Sequence, residues 1–458
     1  MFSVNELLAV TKGKFIQGKS DIPIRGISID SRTIRPQEAF IAIKGSNFDG
    51  RDFIEAAIQN GASCIIRKSQ PKSFATRYSI LDTRKTTFIE VKDTIKALGD
   101  IACFQRKKYD IPVIAITGTN GKTTAKEMIA WVLSKKYRVL KNEGTKNNQI
   151  GLPMTLLDLD SKYDIVVLEL GTNHFGEIDY LAKICLPNAG IITNIGPSHL
   201  EYFKSLAGIL KEKYSLIDNL KKPYLAFLNA DDVLLRKKIF IKTSRPFILG
   251  FGVKNKSDFF ASGIKNENGR IGFFTHLKYK FTLNTFGYYN IYNALVAVCV
   301  ARVFGLSYAD IQARLATFDF PKSRLNLIKL NKINFIDDTY NSNPLSLKEA
   351  LDTLKNFKVK GRKIFIMGDM LELGDRKEQF HSQAGYRAAR VCDVFITVGE
   401  LSKLAAKAAQ SRGFNVKNLF TCESTQKARD ILFSQISPRK EDVVLVKGSR
   451  AMKMEEVF

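Results

Sequence analysis

Apolar residues in this chain gather in short runs that end in polar residues, and the stretches between the runs repeat at helical spacing. Residues 112–117, 165–168, 189–192 and 224–228 are four such runs. Glu169 closes the second, Thr193-Asn194 the third with His199 just beyond, and Asn229-Ala230-Asp231-Asp232 the fourth. Near-continuous apolar strands alternating with helices predict a mostly parallel sheet covered on both faces. Ligands bind past the carboxyl ends of the strands in such sheets, so these polar residues mark a candidate site.

Residues 333–336, 364–367, 394–398 and 443–446 repeat the pattern and end at Asp337-Asp338, Gly368-Asp369, Gly399-Glu400 and Lys447-Gly448-Ser449. They predict a second, doubly wound sheet. Near the N-terminus, β-type runs at 39–43 and 64–66 flank a helical pattern at 52–60 and read as a small α/β module. The expected fold class is therefore α/β in three domains: 1–105, 106–320 with the central mostly parallel sheet, and 321–458.

Gly118-Thr119-Asn120-Gly121-Lys122-Thr123-Thr124 follows the first apolar run and precedes a helical stretch whose Ala125, Met128, Ile129, Val132 and Leu133 share one face. Strand, glycine turn and helix N-terminus make a phosphate cradle. Glycine lets the backbone approach the anion, and the first-turn N–H groups point at it. Lys122 can reach the outer phosphates and the Thr123 hydroxyl can ligate Mg²⁺, so the chain is expected to spend ATP. The glycine pattern is the shorter form, since Ile116 stands where the usual P-loop has its first glycine.

Composition narrows the classes. The net charge is +26, yet Lys and Arg are spread along the chain without a long basic block, so no nucleic-acid partner is expected. A positive field instead suits phosphorylated, carboxylated substrates. No apolar run reaches the ~18–20 residues of a membrane span. The first residues show no basic-then-apolar signal peptide, and none of the six cysteines forms a Cys-x-x-Cys pair. Free buried thiols in a reducing cytoplasm are expected.

Several side chains have two readings. Glu169 at a strand end suits Mg²⁺ or a turn cap. His199 suits a metal, a phosphate or a structural role. Lys213 reads from composition as a solvated helical lysine. The amide- and carboxylate-rich loop Asp337-Asp338-Thr339-Tyr340-Asn341-Ser342-Asn343-Pro344 suits a site or a turn.

These residues together resemble the Mur ligases, ATP-dependent amide-forming enzymes of peptidoglycan precursor synthesis. Asp30-Ser31-Arg32, Ala42-Ile43-Lys44-Gly45-Ser46-Asn47-Phe48-Asp49-Gly50, the phosphate loop, Glu169-Leu170-Gly171-Thr172-Asn173-His174, Thr193-Asn194-Ile195-Gly196 and Lys447-Gly448-Ser449-Arg450 carry the likeness. Asn147-Asn148-Gln149-Ile150-Gly151-Leu152-Pro153, Asp337-Asp338-Thr339-Tyr340-Asn341 and Gly368-Asp369-Met370-Leu371-Glu372-Leu373-Gly374 are similar to one member in particular. That member joins D-alanyl-D-alanine to UDP-N-acetylmuramoyl-tripeptide. Sister Mur or folylpolyglutamate-type ligases and a nucleic-acid-stimulated ATPase are the alternatives.

The resemblance implies an N-terminal UDP-sugar-peptide domain, a central ATPase and a Rossmann-like C-terminal domain that closes over it. It implies that Ser31, Arg32, Lys44 and Asn47 face the UDP-tripeptide, with Asn147, Asn148, Gln149 and Asn341 also on substrate. It gives ATP to residues 118–124, with Asn290 and Asn293 toward adenine and Arg324 and Asp338 toward the nucleotide. It makes Lys122, Glu169, His199 and Lys213 catalytic. Thr123, Glu169, His199 and Lys213, the last as a CO₂-derived carbamate, become Mg²⁺ ligands. A monomer is implied. Two departures stand out: Tyr289 replaces the histidine of the family's Gly-x-His-Asn, and the chain stops at Phe458, where a completed final helix is expected.

Overall fold

The structure, a computed structural model, describes residues 1–45, 47–69, 86–241, 245–267 and 269–458. Ser46, within one of the substrate-facing stretches, lies outside the described residues. The chain forms two compact units. The first holds Met1–Val113, Leu140–Gly171 and Asp179–Pro187, and the second Ile114–Val139, Thr172–Ile178 and Asn188–Phe458.

In the first unit, Lys14–Gln17, Thr87–Val91, Cys64–Lys68, Glu38–Ile41 and Gly26–Ser28 form a sheet in that order. Its pairings are parallel except for the antiparallel edge at Lys14–Gln17. Side-chain alternation splits the core between its faces. Ile41, Ile66 and Ile89 pack with Ala97, Leu98 and Ile101 of the helix Thr94–Lys107, while Phe40, Ile65 and Phe88 pack with Ile54 and Ala57. Asp93 starts that helix by accepting the Ile95 and Lys96 N–H groups.

In the second unit, Val113–Thr117, Ala189–Ile192, Leu225–Asn229, Phe247–Gly252 and Phe259–Glu267 run parallel, side by side. The polar strand ends foreseen in the second unit therefore share one edge. Arg270–Thr275 and Lys280–Leu283 extend the sheet antiparallel. This extension escapes the sequence pattern because its outer residues alternate with exposed polar ones instead of forming apolar runs.

The second sheet of this unit runs Asn326–Leu330, Ile333–Asp338, Val443–Lys447, Lys363–Gly368, Val394–Val398, Leu419–Cys422. All pairings are parallel except the first. The four apolar runs are its four central strands. The two edge strands, only partly buried, were not legible. In place of a final helix, the 3-10 turn Met454–Val457 buries Met454 and Val457, and Phe458 packs edge-on against Phe335 at 5.4 Å. All six cysteines are free thiols and five are buried, as expected. Among the described residues no helix is long and apolar enough to cross a membrane.

Candidate functional site: a phosphate cradle and its supports

The chain turns from the strand Val113–Thr117 into the helix Lys122–Leu133 through Gly118 and Gly121, both at positive φ. Crowding requires glycine as much as conformation does. A Cβ on Gly118 would lie 1.9 Å from Thr193 Oγ1, and one on Gly121 2.6 Å from Asn293 Oδ1.

Neighbouring strand ends stitch the loop in place. Thr119 N donates to Asn194 O and Asn120 N to Asn194 Oδ1, both at 2.9 Å. Thr193 Oγ1 donates to Asn120 O at 2.5 Å. The Thr119 hydroxyl donates to Gly196 O and accepts from Gly196 N. Asn229 Nδ2 donates to Thr193 O, and Asp232 accepts from Ile195 N. A loop held this way presents its N–H groups without reorganising when an anion arrives. Lys122 Nζ lies over the turn, donating to Gly118 O and Thr119 O, and Thr124 is buried in the first helical turn.

Beside the cradle lies a cavity of about 850 Å³, bounded by Asn120, Gly121, Tyr289, Tyr292, Asn293 and Glu349 among others. Asn293 faces it. Asn290 is buried, accepts from Asn293 Nδ2 and donates to Thr285 Oγ1, so it braces Asn293. Tyr289, the residue in the family's histidine place, also lines the cavity, and burial raises its phenol well above the usual value. Burial pushes the Glu349 carboxyl up to about 8. Asp231 differs: burial works against its charge, but the N–H groups of Lys254, Val253 and Asn255 and the Tyr292 hydroxyl hold it below the usual range.

The third segment reaches the cradle. Arg324 Nη2 donates to Thr123 Oγ1 at 3.0 Å, and its guanidinium stacks on the Tyr340 ring at 3.9 Å. Asn343 Nδ2 donates to Asn120 Oδ1 at 2.7 Å, while Asn343 caps the helix Pro344–Asn356. Asp338, inside this site, accepts from Lys447 Nζ at 2.5 Å and from Leu325 N. The same lysine donates to the backbone carbonyl of Asn341, whose side chain accepts from Ser342 N.

His199 begins a short helical turn at positive φ, with Nδ1 2.5 Å from Glu372 Oε2. The imidazole contact holds the Glu372 carboxyl below its usual range. Lys213, on the helix Leu206–Asp218, is only 2 % exposed, which corrects its compositional reading as a solvated lysine. An ammonium so buried is costly unless compensated, whereas an anionic derivative could serve a cation. Its neighbour Glu212 accepts from Thr172 Oγ1, Gly176 N and Ile178 N and so fixes the loop that carries His174.

In the first unit, buried Glu169 accepts from Asn147 Nδ2 at 2.8 Å on Oε1. Fully buried Asn142 clamps the Glu169 backbone, accepting its N–H and donating to its carbonyl. Gly171 has no side chain because a Cβ there would meet Asn147 at 2.6 Å. Asn148 accepts from Ile150 N and Gly151 N at the start of the helix Gly151–Leu157, and Gln149 is half-buried. Arg32 is exposed and forks onto Asp30, while Ser31 is buried with its carbonyl accepting from Asn60. Lys44 and Asn47 are exposed.

Asn142, Asn343, Glu212, Glu372 and Lys447 do structural work that the sequence reading did not assign. Each makes at least one contact far from its own place in the chain, on which spacing carries no signal. The amide-rich loop 337–344 and the likeness of the stretches 368–374 and 447–450 were the available pointers. Taken each in its own unit, the Thr123 hydroxyl of the second and the amide-held Glu169 carboxylate of the first are oxygen donors of the kind a hard cation takes. Among the described residues no three His, Cys, Asp or Glu side chains group as a metal cage.

Comparison with known proteins extends this picture. Residues 23–106 match the Mur ligase family catalytic domain, 116–301 the Mur ligase middle domain and 323–450 the Mur ligase glutamate ligase domain. A UDP-N-acetylmuramoyl-tripeptide–D-alanyl-D-alanine ligase of Bacillus subtilis is 33% identical, over 95% of this chain and 92% of its own. A crystal structure of MurF from Acinetobacter baumannii superposes with a TM-score of 0.88 at 31% identity, covering 100% of this chain and 97% of that one. MurF ligase from Thermotoga maritima in complex with ADP gives 0.82 at 27% identity, covering 94% and 96%.

Proposed function

Because this chain belongs to the Mur ligase family, we infer that it joins D-alanyl-D-alanine to UDP-N-acetylmuramoyl-tripeptide at the expense of ATP, in peptidoglycan precursor synthesis. The observation that carries the reading is the braced phosphate cradle with Arg324 reaching Thr123, in a chain similar to such ligases along its whole length.

The chemistry needs activation, because a carboxylate is anionic and its oxide is a poor leaving group. Transfer of the γ-phosphoryl group to the tripeptide carboxylate gives an acyl phosphate. The amine of D-alanyl-D-alanine then attacks that carbonyl and phosphate leaves. Lys122 and Arg324 would disperse the charge that moves with the phosphoryl group. Thr123, Glu169, His199 and carbamylated Lys213 are the proposed holders of Mg²⁺, which when bound neutralises phosphate charge. Asn293 and Tyr289 are proposed on the adenine side, with Asp338 and Lys447 behind them. Ser31, Arg32, Lys44 and Asn47 are proposed on the UDP-sugar, and Asn147, Asn148, Gln149 and Asn341 on the peptide.

Three functional segments, 1–105, 106–320 and 321–458, are proposed to divide this work. A monomer in the cytoplasm without a nucleic-acid partner agrees with the six free thiols and the scattered positive charge. Hydroxylamine tests the order of events. ATP-dependent hydroxamate formation on UDP-N-acetylmuramoyl-tripeptide, without the dipeptide, supports the acyl phosphate, and its absence counts against it.

A further inference from the structure

The cavity beside the phosphate cradle reaches Asn120 and Gly121 and is lined lengthwise by the helix Pro344–Asn356, from Leu345 through Glu349 to Asn356. Asn343 caps that helix and donates to Asn120 in the phosphate loop. Glu349 follows Asn343 by six positions, ~9 Å along the helix at 1.5 Å per residue. A nucleotide with its phosphates in the cradle would have its sugar short of this point and its base at it. Tyr289 and Tyr292 stand on the same wall and offer a base an aromatic surface.

Other polar groups here are already engaged. Asn293 Nδ2 donates to Asn290 Oδ1, and Asn290 Nδ2 donates to Thr285 Oγ1. Asp231 accepts from three backbone N–H groups and from the Tyr292 hydroxyl. Stacking on a tyrosine does not tell bases apart, because every base has a π-face. Glu349 differs. Thr353 Oγ1 donates to its backbone carbonyl, but among the described residues its half-buried carboxyl has no hydrogen bond or ion pair.

The charges around that carboxyl offset one another. Lys447 and Lys348 favour its ionised form, while Asp338 and Asp352 oppose it. Tyr289 and Tyr292 face it from the start of the helix Asn290–Val303, and both phenols are raised by burial and stay neutral. Burial therefore decides, and pushes the Glu349 carboxyl up to about 8. A neutral carboxyl presents one acceptor and one donor side by side. Adenine presents the complement, an N6 amine that donates and an adjacent ring nitrogen that accepts, which is the pair that glutamine reads with its amide.

We propose that Glu349 is a base-specificity residue that reads the amino edge of adenine, its carbonyl oxygen accepting from the N6 amine and its hydroxyl donating to the neighbouring ring nitrogen. The inference rests on the reading of this cavity as the ATP site and adds the side chain that selects the base.

Calorimetric titration of the full chain with ADP, and with purine riboside 5′-diphosphate, which lacks the amine, reads the contact without turnover. At pH 7 the wild type is expected to prefer ADP by about 10-fold or more. Glu349→Ala should lose most of that preference, and Glu349→Gln, which keeps a donor and an acceptor, should retain it. Between pH 7 and 9 the wild-type affinity for ADP should fall by about 10-fold, as the acid form is lost on passing about 8. In Glu349→Gln it should stay level. An unpartnered acid adds nothing to folding, so Glu349→Ala should unfold no earlier than wild type.

An unchanged preference in Glu349→Ala, or an equal loss of both ligands, overturns the proposal. So does a fall with pH that is the same in Glu349→Gln as in wild type. Failure of the wild type to bind either nucleotide would overturn the ATP reading itself, so the two failures are distinguishable.

Discussion

The Arg324 guanidinium donates 3.0 Å to the hydroxyl of Thr123, 201 positions earlier in the chain. One side chain thus joins the third segment to the first turn of the phosphate helix while stacking on Tyr340. Lysine would keep the charge but lose both the planar fork and the stacking. Arg324→Lys is expected to lower kcat/KM for ATP by about 100-fold, the scale of losing one preorganised transition-state donor. KM for the UDP-tripeptide should not move. Steady-state kinetics at saturating second substrate check it, and an equal effect on both substrates would argue for general unfolding.

Gly118 tests the cradle. Its positive φ and its contact with Thr193 leave no room for a methyl group. Gly118→Ala should destabilise the second unit by roughly 1–3 kcal/mol, the cost of imposed backbone strain, and abolish nucleotide binding. Urea unfolding with and without ADP measures both effects. Full retention of ADP-induced stabilisation would contradict the cradle.

Asn147 is the amide that engages Glu169 Oε1. Asn147→Ala removes one donor from a buried carboxylate, a cost of about 1–3 kcal/mol, and should reduce kcat. Asn147→Asp should be worse, because two adjacent carboxylates cannot both ionise cheaply. The ranking wild type, alanine, aspartate is checked by kcat at saturating Mg²⁺. Equal activity of the alanine and aspartate variants would remove Glu169 from the chemistry.

His381 predicts a pH dependence. It is fully buried, accepts from Met370 N at Nε2 and donates from Nδ1 to Lys377 O, so it is neutral in the fold. Burial lowers its pKa from 6.5. The unfolded chain therefore binds the extra proton first. The stability this residue confers is complete above pH 6.5 and drains away as the pH falls below it through the folded value. Denaturant unfolding of wild type and His381→Gln between pH 5 and 8 should show a steeper acid loss in the wild type. Parallel curves would contradict it.

How much of this was legible in the sequence follows from how local each signal is. The central strands showed themselves as apolar runs, and the cradle as glycines between such a run and an amphipathic helix. Thr193, Asn194, Asn229 and Asp232 were legible as strand ends, and strand ends share an edge. Lys213 was not, because burial of a lysine leaves no trace in its neighbours. Asn142, Asn343 and Glu372 act on partners 27, 223 and 173 positions away, a distance over which periodicity carries nothing. Family resemblance supplied Arg324 and Asp338. The structure added what holds them: Tyr340 and Lys447.

The central claim is coupled ligation, and phosphate release tests it most directly. ATP and Mg²⁺ are supplied with UDP-N-acetylmuramoyl-tripeptide, with and without D-alanyl-D-alanine, and the product is weighed. Sustained release that requires both substrates, with a product heavier by one dipeptide less water, is the predicted result. Release with another amine but not the dipeptide, or release stimulated only by RNA or DNA, would contradict it.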